Sequence, residues 1–111
     1  MRNSLLTAPP YQVEKVISQL GDNLRIARLR RNLTREAVAA KIGTGVRAVM
    51  DAEKGKASTS IATYAALMWA YDLLSPFDAL ANPLTDIEGL MLSSAKEGQR
   101  ARQSKGLSND F

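Results

Sequence analysis

The stretch from Thr34 to Lys56 constrains this 111-residue chain more than any other. Thr34 is a good helix N-cap, its hydroxyl free to accept from a backbone N–H that has no partner inside the helix. It precedes Arg35-Glu36-Ala37-Val38-Ala39-Ala40-Lys41-Ile42, and Gly43 then stops that helix as a glycine in the left-handed conformation does. After Thr44-Gly45 a second helix is expected from Val46 to Lys54, closed by Gly55. Two short helices crossing steeply around a tight turn need a small residue where they touch, a turn residue tolerant of positive φ, and apolar anchors into a core. Counted from Arg35, those requirements fall on Ala39 at position five, Gly43 at position nine and Val49 at position fifteen, with Val38, Ile42 and Ala52 facing inward.

The rest of the chain is punctuated for helices as well. After Pro9-Pro10, the residues Val13, Val16, Ile17 and Leu20 recur with the spacing of one helical face, and Gly21 marks a break or a join. Asp22 to Arg31 reads as a helix with Leu24, Ala27 and Leu33 on one side and Ile26 and Leu29 off it. A helix with two apolar sides needs two covers, here the Tyr11–Leu20 segment or a partner chain. Ser58-Thr59-Ser60 caps a long apolar helix from Ile61 to about Leu74, and Ser75-Pro76 opens a short one through Leu80. Asn82-Pro83 is a boundary, and a weaker helix is expected from Asp86 to about Glu97. No segment alternates with a strand's period of two.

Composition removes whole classes of chemistry. The chain has no cysteine and no histidine, which excludes disulfides, thiolate or imidazole metal sites, and Cys-His or Ser-His nucleophiles. Gly43-Thr44-Gly45 lacks the lysine and further glycine of a phosphate-cradling loop. Asp51 and Glu53 face different sides of a helix, unsuited to paired-carboxylate catalysis. We therefore expect no enzyme and no cofactor. Nothing resembles a signal peptide or a membrane span, so a cytoplasmic protein is expected.

Charge is segregated. Leu20 to Lys56 carries nine bases and four acids, whereas residues 57 to 95 carry four acids and no base. One stretch is suited to meet a polyanion and the next to avoid it.

Three motifs in order resemble Xre/Cro-type helix-turn-helix repressor domains: Leu20-Gly21-Asp22-Asn23-Leu24-Arg25, then Leu33-Thr34-Arg35-Glu36-Ala37-Val38-Ala39, then Glu53-Lys54-Gly55-Lys56. The run from Leu24 to Arg31, with Thr63-Tyr64, Leu67-Met68-Trp69-Ala70 and Ala79-Leu80-Ala81-Asn82-Pro83, is further similar to HipB-like antitoxins, the DNA-binding partners of HipA-type kinase toxins. The resemblance implies an all-α, lambda-repressor-like five-helix DNA-binding domain over residues 11–82, with its motif at about 34–55. It leaves a flexible arm at 1–10, a short helical partner or dimer segment at 83–97, and a flexible tail at 98–111. By the same resemblance the helix starting at Val46 enters the major groove of double-stranded operator DNA, with Val46, Arg47, Met50 and Asp51 toward the bases. Asp51 either accepts from cytosine or orients Arg47 as an i, i+4 pair. Thr34, Arg35, Lys54 and Lys56 are implied phosphate contacts, and Arg28 with Glu53 a partly buried structural salt bridge. Arg35 stands where the family usually has glutamine. Arg30 and Arg31 read as a solvated face.

Such domains bind two half-sites as symmetric dimers. Met68, Trp69 and Tyr71 cannot all point inward, so at least one belongs to an interface, while Leu67, Leu73 and Leu80 are expected in the core. Ile87, Leu90 and Met91 are the candidates for a kinase-toxin contact, or equally for a domain-swapped lid. The expected role is a repressor serving as the antitoxin of a HipA-type module, or else a free-standing phage-type or metabolic repressor.

Overall fold

A computed structural model describes residues 4–108; the ends of the expected arm (1–3) and tail (109–111) lie outside the described residues. The described residues form helices and connecting turns: α1 (Ser4–Thr7), α2 (Tyr11–Arg30), α3 (Arg35–Ile42), α4 (Val46–Glu53), α5 (Ile61–Ala70), α6 (Ser75–Asp78) and α7 (Ile87–Ser108). The chain divides into a unit ending at Asp78 and a second unit beginning at Ala79.

In the first unit, α2 packs on α4, and α3 packs on both α4 and α5. Leu24 from α2, Val38 from α3, Val49 from α4, and Leu67 and Tyr71 from the α5 region are almost wholly removed from solvent. Ala27, Ala39, Ala52, Tyr64 and Met68 complete this core. The small residues lie where helices meet closely, and the large ones fill the space between.

Gly21 is a join. The helix runs unbroken from Tyr11 through Gly21 to Arg30, so the two segments separated in the sequence are one element. The glycine is kept for clearance. A Cβ on Gly21 would lie 2.7 Å from the carbonyl oxygens of Ala52 and Glu53 and 2.8 Å from the Gly55 nitrogen. Gly55, at φ +69°, approaches α2 from the other side, where a Cβ would lie 2.6 Å from the Ser18 Cα. Backbone meets backbone here with no side chain between. Because the Tyr11–Leu20 segment continues α2 instead of folding back, Ile26 and Leu29 remain 43% and 46% exposed.

Four helices end on one device. At Asn32, Gly43, Gly55 and Asp72 the chain turns left-handed, and the next residue's N–H reaches back to a carbonyl five residues earlier: Leu33 to Arg28, Thr44 to Ala39, Lys56 to Asp51, Leu73 to Met68. This Schellman closure satisfies carbonyls that have no partner within the helix. It also shortens the helix starting at Ile61, which was expected to reach Leu74 but ends at Ala70. Leu73 and Leu80, expected in the core, are instead 42% and 65% exposed because they lie beyond that stop.

The second unit is different in kind. Asp86 caps α7 by accepting from the Gly89 N–H at 2.9 Å, and α7 continues past Gly98 to Ser108 where a flexible tail was expected. The short α1 likewise interrupts the expected arm. None of residues 79–102 is buried.

The close approach at Gly21 inverts an ordinary expectation. Helix propensity favours alanine over glycine by about 1 kcal/mol in a helix interior, but a methyl inside the Ala52–Gly55 backbone should destabilise by about 3 kcal/mol through overpacking. Urea denaturation of Gly21→Ala checks the sign. Asp72, by contrast, holds φ +63° at a helix C-terminus, where both backbone strain and the helix dipole disfavour it. Asp72→Gly should therefore stabilise by about 1 kcal/mol, read as a higher melting temperature.

Candidate nucleic-acid interface

Helix α4 is fixed at both ends and free along one side. Its N-cap is Gly45 in an extended conformation; its C-terminal closure is the Gly55 turn against α2. Between them Val49 and Ala52 are fully buried, which leaves the residues about one turn away from those two to face outward. Val46 is exposed, the Arg47 side chain is 71% exposed, and Met50 is half-buried. The first turn of α4 is therefore open to solvent and lies in the basic part of the sequence.

Asp51 lies between two cations. Its Oδ1 is 3.4 Å from Arg47 Nε and 3.2 Å from Lys56 Nζ. Only 24% of the Asp51 side chain is exposed, against 42% for Lys56. The carboxylate thus holds the base of the Arg47 side chain against α4 and draws the post-helix lysine toward the same face. Beside it, Ala48 and Asp51 share a shallow cavity of about 200 Å³ with Ser58, Thr59, Ser60 and Thr63. The sequence reading gave this hydroxyl-rich rim only a capping role. Ser60 does cap α5, its hydroxyl accepting from the Thr63 N–H at 3.2 Å.

The other predicted phosphate residues border the start of α3 and the end of α4. The Thr34 hydroxyl accepts from the Ala37 N–H at 3.1 Å. Lys54 is the exposed C-cap of α4. Arg35 has a tie that sequence did not anticipate: its Nε donates to Glu53 Oε1 at 3.0 Å while its side chain remains 39% exposed.

Glu53 is the hub of this arrangement. Its side chain is only 3% exposed and accepts from Arg28 Nε at 2.6 Å and Arg28 Nη2 at 3.2 Å, a two-pronged pair. Arg28 also donates from Nη1 to the Leu33 carbonyl at 2.9 Å, bracing the turn between α2 and α3. The hydrogen bond to Glu53 is the chief reason the Arg28 guanidinium sits above its ordinary pKa, outweighing the desolvation that opposes it. One carboxylate thereby joins the middle of α2, the start of α3 and the end of α4.

Arg31, expected from the sequence on a solvated face, is a structural residue. Its two terminal nitrogens donate to the Ala27 carbonyl at 2.9 Å and the Tyr71 carbonyl at 2.8 Å, and its guanidinium lies 5.6 Å from the Tyr71 ring centre. Burial raises the Tyr71 hydroxyl's pKa. Lys41 sits 5.7 Å from the Trp69 ring centre and 3.4 Å from the Ala70 carbonyl. Both cations gather at the C-terminal end of α5, where carbonyls concentrate negative potential. A base near two helix ends is the signal that would have found them.

Of the proposed interface residues, Met68 and Tyr71 are core: they are 8% and 1% exposed and pack inside the first unit. Trp69 is the one that points outward, 56% exposed. In the second unit Ile87, Leu90 and Met91 are all exposed. Among the described residues no cluster is arranged to hold a metal ion, and no helix is long and apolar enough to cross a membrane.

Removing Arg28 would leave the Glu53 carboxylate buried with only the half-exposed Arg35 for company. Breaking a buried pair on one side costs about 3 kcal/mol or more, so Arg28→Ala should lower the urea midpoint sharply, whereas Arg35→Ala should shift stability by less than about 1 kcal/mol.

The family model for a helix-turn-helix domain matches residues 19–80. No curated protein and no solved structure gives a significant match. The matched span takes in all but the first turns of α2 and runs through α6, including the α3–Gly43–α4 motif and the Glu53 hub. With more than half its length inside that span and an all-helical, lambda-repressor-like fold to match, the chain belongs to the helix-turn-helix domain family of DNA-binding regulators.

Proposed function

We propose that this chain is a sequence-specific transcriptional repressor that reads operator DNA with the outer face of α4 and acts as a dimer. The observation that carries this reading is the exposed first turn of α4, with Arg47 71% exposed in a segment of net positive charge. In this reading Arg47 forks to guanine, Val46 and Met50 meet apolar base edges, and Asp51 orients Arg47. Thr34, Arg35, Lys54 and Lys56 meet the phosphates, with Arg35 held by Glu53 so that fewer of its conformations are lost on binding.

A finer proposal is that the repressor is the antitoxin of a HipA-type module and docks a kinase toxin. Its support is the likeness of the Leu24–Arg31, Leu67–Ala70 and Ala79–Pro83 segments to HipB-like antitoxins. The exposed Leu84, Ile87 and Met91 add an apolar surface free for a partner. A neighbouring gene encoding a kinase fold, whose product copurifies with this chain and no longer does so with Ile87→Asp/Met91→Asp, is the expected outcome. A free-standing repressor would have neither.

Footprinting on the DNA upstream of its own gene tests the DNA reading. Arg47→Ala should relax preference at one base position by about 1–3 kcal/mol, while Arg35→Ala should weaken all sequences alike and reduce the slope of log affinity against log salt by about 1. If the two variants behave identically, α4 is not the reading helix.

A further inference from the structure

The outer face of α2 has no cover within the first unit, yet its residues are not those of a merely solvated helix. Tyr11 is 75% exposed at one end, and Ile26 is 43% exposed near the other. At the rise of an α-helix, Tyr11 and Ile26 lie on the order of 22 Å apart, both on the side away from Gly21 and the core. Between them along the same face stand Lys15 and Asp22, both exposed and neither in an ion pair among the described residues. The pattern is symmetric about the midpoint between Ser18 and Gln19: Lys15 and Asp22 are equidistant from it, and so are Tyr11 and Ile26.

A helix with opposite charges at mirror positions and apolar groups at the next mirror positions is complementary to itself run backwards. We propose that this face of α2 is the contact surface for a second copy of the chain, the two α2 helices pairing antiparallel across a two-fold axis at Ser18–Gln19. In that pairing each Lys15 faces the Asp22 of the other copy, giving two opposite-charge pairs, and each Tyr11 meets the other copy's Ile26. An open groove of about 330 Å³ lies beside Ile26, lined also by Asn23, Ala27, Arg30, Arg31 and Leu73. It gives the incoming Tyr11 ring a seat on the body of the domain, against the aliphatic Ile26 and Leu73 and within reach of the Arg30 and Arg31 guanidinium groups.

Charge also fixes the register. Sliding the pair by about one turn, so that Lys15 faces Arg25 of the other copy, replaces attraction with repulsion. The α4 contact at Gly21 lies more than a quarter turn around α2 from the centre of this face. The inference supplies a surface for the dimer proposed above and rests on that reading only in taking a second copy as the occupant.

The test is a charge exchange in the full-length chain, with self-association measured by sedimentation. Lys15→Glu and Asp22→Lys should each weaken dimerisation roughly tenfold or more, and Lys15→Glu/Asp22→Lys should recover it to within a few-fold of the original. Tyr11→Ala should weaken it as well. All three positions are exposed, so the helical circular dichroism signal should stay as in the parent chain. The proposal is overturned if the single variants associate like the parent, if the double exchange does not recover, or if the parent is monomeric at tens of micromolar. Dimerisation lost in Leu90→Glu but untouched by the α2 variants would assign the second copy to α7 instead. Binding to a half-site duplex, measured in parallel, should be equal in all the α2 variants. Its absence in the parent would count against the DNA reading, whatever the sedimentation result.

Discussion

Everything that orients α4 depends on two backbones touching. The middle of α2 and the turn after α4 meet at Gly21 and Gly55, each so close to the other helix that a single methyl would collide with main-chain atoms. Main chain cannot yield as a side chain can, so this contact sets the separation of α2 and α4 within narrow limits. It also determines what stands next to what. With Gly21 against the end of α4, Arg28 lies two turns along α2 from the contact and reaches Glu53, the last residue of α4.

That second contact converts packing into electrostatic order. Burying a carboxylate is costly unless its lone pairs are occupied, and Glu53 fills them with three N–H donors from Arg28 and Arg35. Arg28 belongs to the interior and Arg35 to the surface, so one buried anion links the core to the rim of the basic face. On α4 itself Asp51 repeats the theme nearer the surface, with Arg47 and Lys56 as its neighbours. Two of the basic segment's four acids, Asp51 and Glu53, are therefore organisers of its bases, and between them they hold Arg28, Arg35, Arg47 and Lys56 in place.

Much of this was legible in the sequence because the controlling features are local. Thr34, Gly43 and Gly55 mark helix ends by chemistry that acts within one turn, and the helix-turn-helix follows from their spacing. What escaped was set by partners distant along the chain. Gly21 looks the same in sequence whether it breaks a helix or admits another backbone. Arg31 bonds to the Tyr71 carbonyl forty residues on, which no periodicity reports. Leu73 reads as core by hydrophobicity, but the left-handed Asp72 before it ends the helix and turns it out. Of Met68, Trp69 and Tyr71, which the sequence offers alike for an interface, only the packing separates the exposed Trp69 from the two core residues.

The second unit places the two halves of the chain under different regimes. Helix α7 extends over 22 residues, yet none of its side chains between Ile87 and Arg102 is buried. A helix that buries none of its side chains gains little stability from packing. Its order then rests mainly on backbone hydrogen bonds along the helix, while that of the α2–α5 core rests on packing. Proteases act on segments that open easily, so limited proteolysis would trim the second unit before it reached the α2–α5 core. The lifetime of the intact chain is then governed by its last thirty or so residues, while the fragment that survives is governed by the Gly21–Gly55 contact.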